Sequence, residues 1–177
     1  MASILAFAGS NSSTSVNFKL VQHTTTMIEG HQVQLLDMTR YPFPMFSEDE
    51  EKQKGYSNSL VELKNDIQQA NGLILSVNEH NSNPSAYFKN VLDWLSRLER
   101  KFLDNTKVLL MSASPGGRGG IGALGVTEAL LPRFGAEIVS TFSLPAFHQN
   151  FGQGGIVDAE LKQAHQKALT QFLDSLK

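Results

Sequence analysis

The chain has 177 residues, 41% of them apolar and 18% charged, and a formal charge of −2. That suits one domain of ordinary size with a sizeable core and provides no polybasic field for nucleic acid or an anionic membrane surface. Cysteine is absent, which excludes disulfides, thiolate zinc sites, iron–sulfur clusters and thiol nucleophiles and favours a cytosolic setting.

The opening "MASILAFAGS" lacks the basic and long apolar regions of a signal peptide, and no apolar run reaches membrane-spanning length. A cytoplasmic protein without nucleic-acid or membrane partners is therefore expected. "ILAFAG" (4–9) is short, apolar and closed by glycine, as a buried strand is. A helix follows with Asn17, Leu20, Val21, Thr24 and Ile28 on one face, ended by Gly30. "QVQLLDM" (32–38) alternates like a less buried strand. "TRYPFPMFSEDEEKQKG" is expected to be a long loop, its acidic run "SEDEE" solvated. "SLVELKNDIQQA" (59–70) sets Leu60, Leu63, Ile67 and Ala70 along one helical stripe.

The second half repeats the alternation. "GLILSV" (72–77) is the clearest buried strand, and Pro84 is expected in the first turn of the helix after it. Phe88, Val91, Leu92, Leu95 and Leu98 give that helix its apolar face. "KVLLMSA" (107–113) is a strand, followed by the glycine-rich "SPGGRGGIG" and a helix from Gly122 to Phe134. "AEIVSTF" (136–142) is the fifth strand, and Asp158 can cap a last helix that turns Leu161, Ala168, Leu169, Phe172 and Leu176 inward. Five β–α units without repeats or low-complexity tracts predict a single doubly wound α/β domain around a five-stranded parallel sheet. Such sheets bind ligands beyond the carboxyl ends of their strands, where the strand order reverses.

Three loops at those ends carry unusual chemistry. "GSNSSTSVN" (9–17) has neither the lysine of a P-loop nor a dinucleotide glycine triad. Its hydroxyls and amides, with Ser10, Ser12, Ser15 and Asn17 foremost, suit a phosphomonoester at a helix N-terminus; a polar capped turn is the alternative. After the third strand, Asn78, Glu79, His80 and Asn81 could meet the edge of a heterocycle that donates and accepts hydrogen bonds, or form a solvated loop. No second ligand at a metal-binding spacing accompanies His80. "SASPGGRGGIG" has four glycines within five residues, which would let backbone approach a flat ring and its amides stabilise charge on a ring carbonyl. A mobile surface turn is the alternative there. A phosphate, a polar heterocycle edge and a flat ring belong together in FMN.

The same residues resemble a family, the NADPH-dependent FMN reductases of flavodoxin-like fold, which includes quinone, azo-dye and chromate reductases. "GSNSSTSVN" is similar to the family's GSxRxxSxN. "NEHNSNPSAYFKNVLDWLSR" (78–97) is similar to PEYNxSxPGxLKNxxDWxSR, and "SPGGRGG" (114–120) to SxxGxxGG. The resemblance implies sheet order 2-1-3-4-5 with helices on both faces. It implies that Ser10, Ser12, Ser15, Val16 and Asn17 surround the FMN phosphate. Asn78, Glu79, His80 and Asn81 would border the ring, and Ser114, Gly116, Gly117, Arg118 and Gly119 would approach it from the other loop. Ser12 stands where the family has arginine, and Asn78 and His80 where it has proline and tyrosine.

The implied activity is ping-pong transfer from NADPH or NADH through bound FMN to a small-molecule electron acceptor: a quinone, an azo compound, free flavin or a metal ion. The flavin carries the redox chemistry, so no catalytic side chain and no protein-held metal is assigned. A flavodoxin-type electron carrier is the alternative; carriers usually present a strongly acidic face, and a net charge of −2 argues against one. The resemblance also implies a homodimer or homotetramer. The aromatics of "YPFPMF" (41–46) would meet a partner copy unless the loop packs back on its own domain, and Trp94 could contribute.

Overall fold

The computed structural model describes residues 1–177. Five parallel strands form the central sheet: β1 (Ser3–Ala8), β2 (Gln32–Leu36), β3 (Gly72–Val77), β4 (Lys107–Ala113) and β5 (Glu137–Leu144), in the order β2-β1-β3-β4-β5. This is the predicted flavodoxin-like topology. The inner strands are apolar on both faces because helices cover both. Leu5 and Phe7 of β1, with Val108 and Leu110 of β4, join one core; Ile4, Ala6 and Ala8, with Leu109, Met111 and Ala113, join the other. The edge strand β2 is largely exposed, which is why its sequence alternates so loosely.

Helices α3 (Asn58–Gln69), α4 (Ala86–Leu98) and α5 (Ile121–Leu130) cover the first core. Helices α1 (Val16–Thr26) and α6 (Ala159–Ser175) cover the second. Asp158 caps α6 as expected, accepting from Leu161 N–H at 2.9 Å. No helix is long and apolar enough to cross a membrane.

Two expectations are corrected. The stretch read as a long loop contains a 3₁₀ turn (Met38–Arg40) and a helix, α2 (Glu48–Lys54). Ser47 caps α2 by accepting from Glu50 N–H at 3.1 Å. The acids occupy its first turn, and Lys52 and Lys54 pair one turn back with Glu48 and Glu50. The acidic run is thus a helix start, not a solvated loop. Pro84 lies outside α4: it faces Glu79 across a two-residue strand pair (Glu79–His80 with Asn83–Pro84), and Ser85 is the cap, accepting from Phe88 N–H at 3.1 Å.

Of the two readings of "YPFPMF", packing on its own domain is the one seen. Tyr41, Phe43 and Phe46 pack back on the first core and are only partly exposed. Trp94 is 3% exposed and donates from Nε1 to Pro44 O at 2.7 Å. Asn90 donates to the same carbonyl and accepts from Phe46 N–H, while Tyr87 Oη donates to the carbonyls of Met38 and Tyr41. α4 thereby straps the loop down, with Tyr41, Phe43 and Phe46 half-buried.

Candidate functional site

In this strand order the carboxyl ends of β1, β3 and β4 stand side by side, so the three loops of interest leave one edge together. The first loop is folded by its own hydroxyls. Ser10 Oγ accepts from Ser12 N–H (3.3 Å), Ser12 Oγ from Thr14 N–H (3.3 Å), and Ser15 Oγ caps α1 by accepting from Phe18 N–H (3.2 Å). The two open readings of this loop are therefore compatible: one serine caps, and the amides of Val16 and Asn17 at the start of α1 keep no intrahelical acceptor.

Asn17 does something the sequence did not suggest. Its side chain is buried, and Oδ1 accepts from Ala113 N–H (2.8 Å) and Ser76 Oγ (2.7 Å) while Nδ2 donates to Ala113 O (3.0 Å). One amide thus stitches α1 to β3 and β4 directly beneath the strand ends.

The second loop is a tight hairpin. Asn78 Nδ2 lies 3.3 Å from His80 Nε2, and Asn78 Oδ1 is buried without any hydrogen-bond partner. Glu79 reaches across to α5, its Oε2 accepting from Ala123 N–H at 2.9 Å. Asn81 sits at the hairpin tip with a positive φ of 53°. In the third loop Gly119 is fixed by the fold: its φ is +63°, and its carbonyl accepts from Ser112 Oγ (2.7 Å) and Ser143 Oγ (3.0 Å). A Cβ there would lie 2.9 Å from Pro145 N. Gly116 and Gly117 are different. A Cβ at Gly117 would meet nothing within 4 Å, and one at Gly116 only Ser114 Oγ at 3.8 Å. Arg118 is exposed between the two pairs.

These walls enclose an open cleft of about 230 Å³. Ser10, Ser12, Ser15, Val16 and Asn17 line it from the first loop. Asn78, Glu79 and His80 face them, and Ser114 closes the third side. Asn81, Gly116, Gly117, Arg118 and Gly119 do not line it and stand beyond its rim. Thr14, Ala113 and Pro115 line it and were not singled out from sequence. Thr14 lay inside the serine motif, but Ala113 contributes through its place at a strand end, which its residue type does not signal. No lysine or arginine lines the cleft, so at the first loop a phosphate would meet hydroxyls, amides and the positive end of α1, with the Glu79 carboxylate and His80 on the facing wall. A larger cleft, about 420 Å³ between α1 and the 151–156 hairpin, lies away from this edge and collects none of the three loops.

The model of one protein family, NADPH-dependent FMN reductase, matches residues 2–149. The chain belongs to that family. Within and around the family, it is 32% identical over 77 residues to a quinone reductase of Escherichia coli K12, a match spanning 44% of this chain and 41% of that relative. It is 26% identical to an NADPH:quinone oxidoreductase of Arabidopsis thaliana over 94% of this chain and 87% of the relative. The flavoenzyme NAD(P)H:(acceptor) oxidoreductase FerB of Paracoccus denitrificans has the same fold, with TM-score 0.80 at 21% identity over 99% of this chain and 97% of its own.

Proposed function

We propose that the chain is an FMN-dependent NAD(P)H oxidoreductase, taking electrons from NADPH or NADH and passing them in ping-pong fashion to quinones, azo compounds, free flavin or metal ions. The observation that carries this reading is the convergence of a hydroxyl-rich helix start and an unpartnered buried acceptor, Asn78 Oδ1, in one cleft. A buried carbonyl oxygen without a donor is costly, and an N–H on a ligand's heterocyclic edge would relieve it. Glycines at 116 and 117, which neither backbone geometry nor neighbouring atoms demand, leave room for a flat ring.

On this reading the phosphate is held by Ser10, Ser12 and Ser15 and the amides of Val16 and Asn17. Asn78, Glu79, His80 and Asn81 form the wall along the ring edge. Ser114, Gly116, Gly117, Arg118 and Gly119 form the opposite approach. When bound, the flavin supplies the redox chemistry, and the protein binds, orients and shields it. Substrate and acceptor share the open side of the cleft, so each must leave before the other enters. The names of the quinone reductase relatives support quinones as acceptors, and the absence of cysteine supports a cytoplasmic setting.

The chain also assembles as a homodimer or homotetramer on this reading. Ile121 and Val126, 53% and 42% exposed on α5 beside the glycine-rich loop, support a second copy there; elution as a monomer at micromolar concentration would refute it. The cleft assignment is tested by filling the free space at Gly117. Gly117→Val should leave the melting temperature within about 2 °C, an effect below about 1 kcal/mol, and weaken FMN binding about tenfold or more. Unchanged FMN affinity would place the ring elsewhere.

A further inference from the structure

One contact at the cleft is not called for by flavin binding. α5 has no cap of its own, because the residue before it is Gly120, left-handed at φ +77° and without a side chain. A helix start presents N–H groups without intrahelical acceptors, and its positive end favours an anion. Glu79, 44 residues earlier in the chain, fills the role: its Oε2 accepts from Ala123 N–H at 2.9 Å. It does for α5, from the opposite loop, what Ser15 does locally for α1.

The fit extends to the neighbour. A Cβ at Gly122 would lie 2.7 Å from Glu79 Oε2 and 2.9 Å from Ser82 O. The missing side chain is therefore what lets the 79–84 hairpin lie against the first turn of α5. The hairpin turns through Asn81 (φ 53°) and Ser82 (φ 61°), two non-glycine residues in the left-handed region. Such conformations persist where the surroundings over-determine them, and the docking against Gly122 and Ala123 provides that constraint.

We infer that Glu79 is a positioning residue whose carboxylate latches the loop after β3 to α5, behind the glycine-rich loop, so that the Asn78–His80 wall of the cleft and the glycines beyond its rim hold a fixed separation. The functional half of this inference rests on the FMN reading; the structural half does not. Hydrogen exchange on the flavin-free protein and FMN binding, followed by fluorescence quenching, are measured on the unmodified chain, Glu79→Ala and Glu79→Gln. Glu79→Gln keeps an acceptor oxygen for Ala123 N–H, and Glu79→Ala keeps none. In Glu79→Ala, exchange across residues 116–124 is expected to rise about tenfold with FMN affinity falling about tenfold, the loss of roughly one hydrogen bond. Glu79→Gln should restore both to within about threefold.

Unchanged exchange at 116–124 in Glu79→Ala, or a Gln variant as impaired as the Ala variant, overturns the latch. Should Glu79→Ala fail to fold, Gly122→Ala is the second route: its methyl group displaces the carboxylate and the Ser82 backbone together with Glu79 intact, and the same local rise in exchange is expected. A chain that binds no FMN in any form refutes the flavin reading, and the exchange data still decide the latch.

Discussion

At the level of single residues, the cleft separates into groups that hold its walls and groups left free. Asn17 and Glu79 belong to the first kind, although their positions in the motifs suggested ligand contact. The sequence could point to both residues but not to their partners, because Ala113 and Ala123 take part through backbone atoms that no residue type announces. Asn17→Ala strands the amide and carbonyl of Ala113 and the hydroxyl of Ser76. We expect a loss of about 3 kcal/mol, or roughly 6–12 °C in melting temperature, with or without FMN; a shift under about 2 °C would show that water replaces the amide. Ser12 is of the second kind. It lines the cleft where the family pattern has arginine, and no lysine or arginine lines the cleft in its stead. Ser12→Arg should tighten FMN about tenfold while leaving riboflavin unchanged, since a charge-assisted bond reaches only the phosphate. Equal gains for both ligands would put the phosphate elsewhere.

At the level of elements, strands and helices with strong apolar periodicity were legible to within a residue or two, because burial on both sheet faces writes itself into β1, β3 and β4. The segment 41–56 was not. Its prolines and acids read as a loop, whereas Ser47 and two lysines one turn from their acids make a short helix, and polar groups of α4 fasten the rest. Those fastenings are long-range hydrogen bonds to carbonyls, invisible in one sequence. Glu51 and Arg97 add a bidentate pair between α2 and α4, Nε donating to Oε1 and Nη2 to Oε2, and the arginine holds the Glu51 carboxyl below its usual range, but with the guanidinium half open to solvent such a pair contributes little. The strap depends instead on Trp94. Trp94→Phe removes the donor to Pro44 O and should cost about 1 kcal/mol, detected as a melting-temperature drop and faster proteolysis between residues 41 and 56. Proteolysis no faster than in the unmodified chain would locate the strap in the Asn90 and Tyr87 bonds and the aromatic packing.

At the level of the whole molecule, the two cores respond differently to acid. His165 is 1% exposed between α6 and the sheet, 2.8 Å from Thr24 Oγ1, stacked on His23 and edge-on to Phe142. Burial, and then the charge of His23, lowers its pKa from 6.5 to about 4; burial and Lys162 lower that of His23 as well. Between these values the unfolded chain binds the proton and the folded chain does not, so this stability is complete above pH 6.5 and is lost as pH falls towards 4. From His165 alone the loss between pH 7.5 and pH 5 should be about 2 kcal/mol, read from urea midpoints, and His165→Gln should flatten that slope; an unchanged slope would assign the acid sensitivity to other groups. None of this bears on the cleft, which lies at the carboxyl ends of the strands, where the order of the sheet reverses. If the cleft holds FMN and exchanges electrons with a nicotinamide donor, protein loaded with FMN and freed of the excess will keep a visible flavin band that bleaches during anaerobic titration with NADPH and returns when a quinone is added. A bound band that NADPH leaves unchanged would make the protein an electron carrier instead.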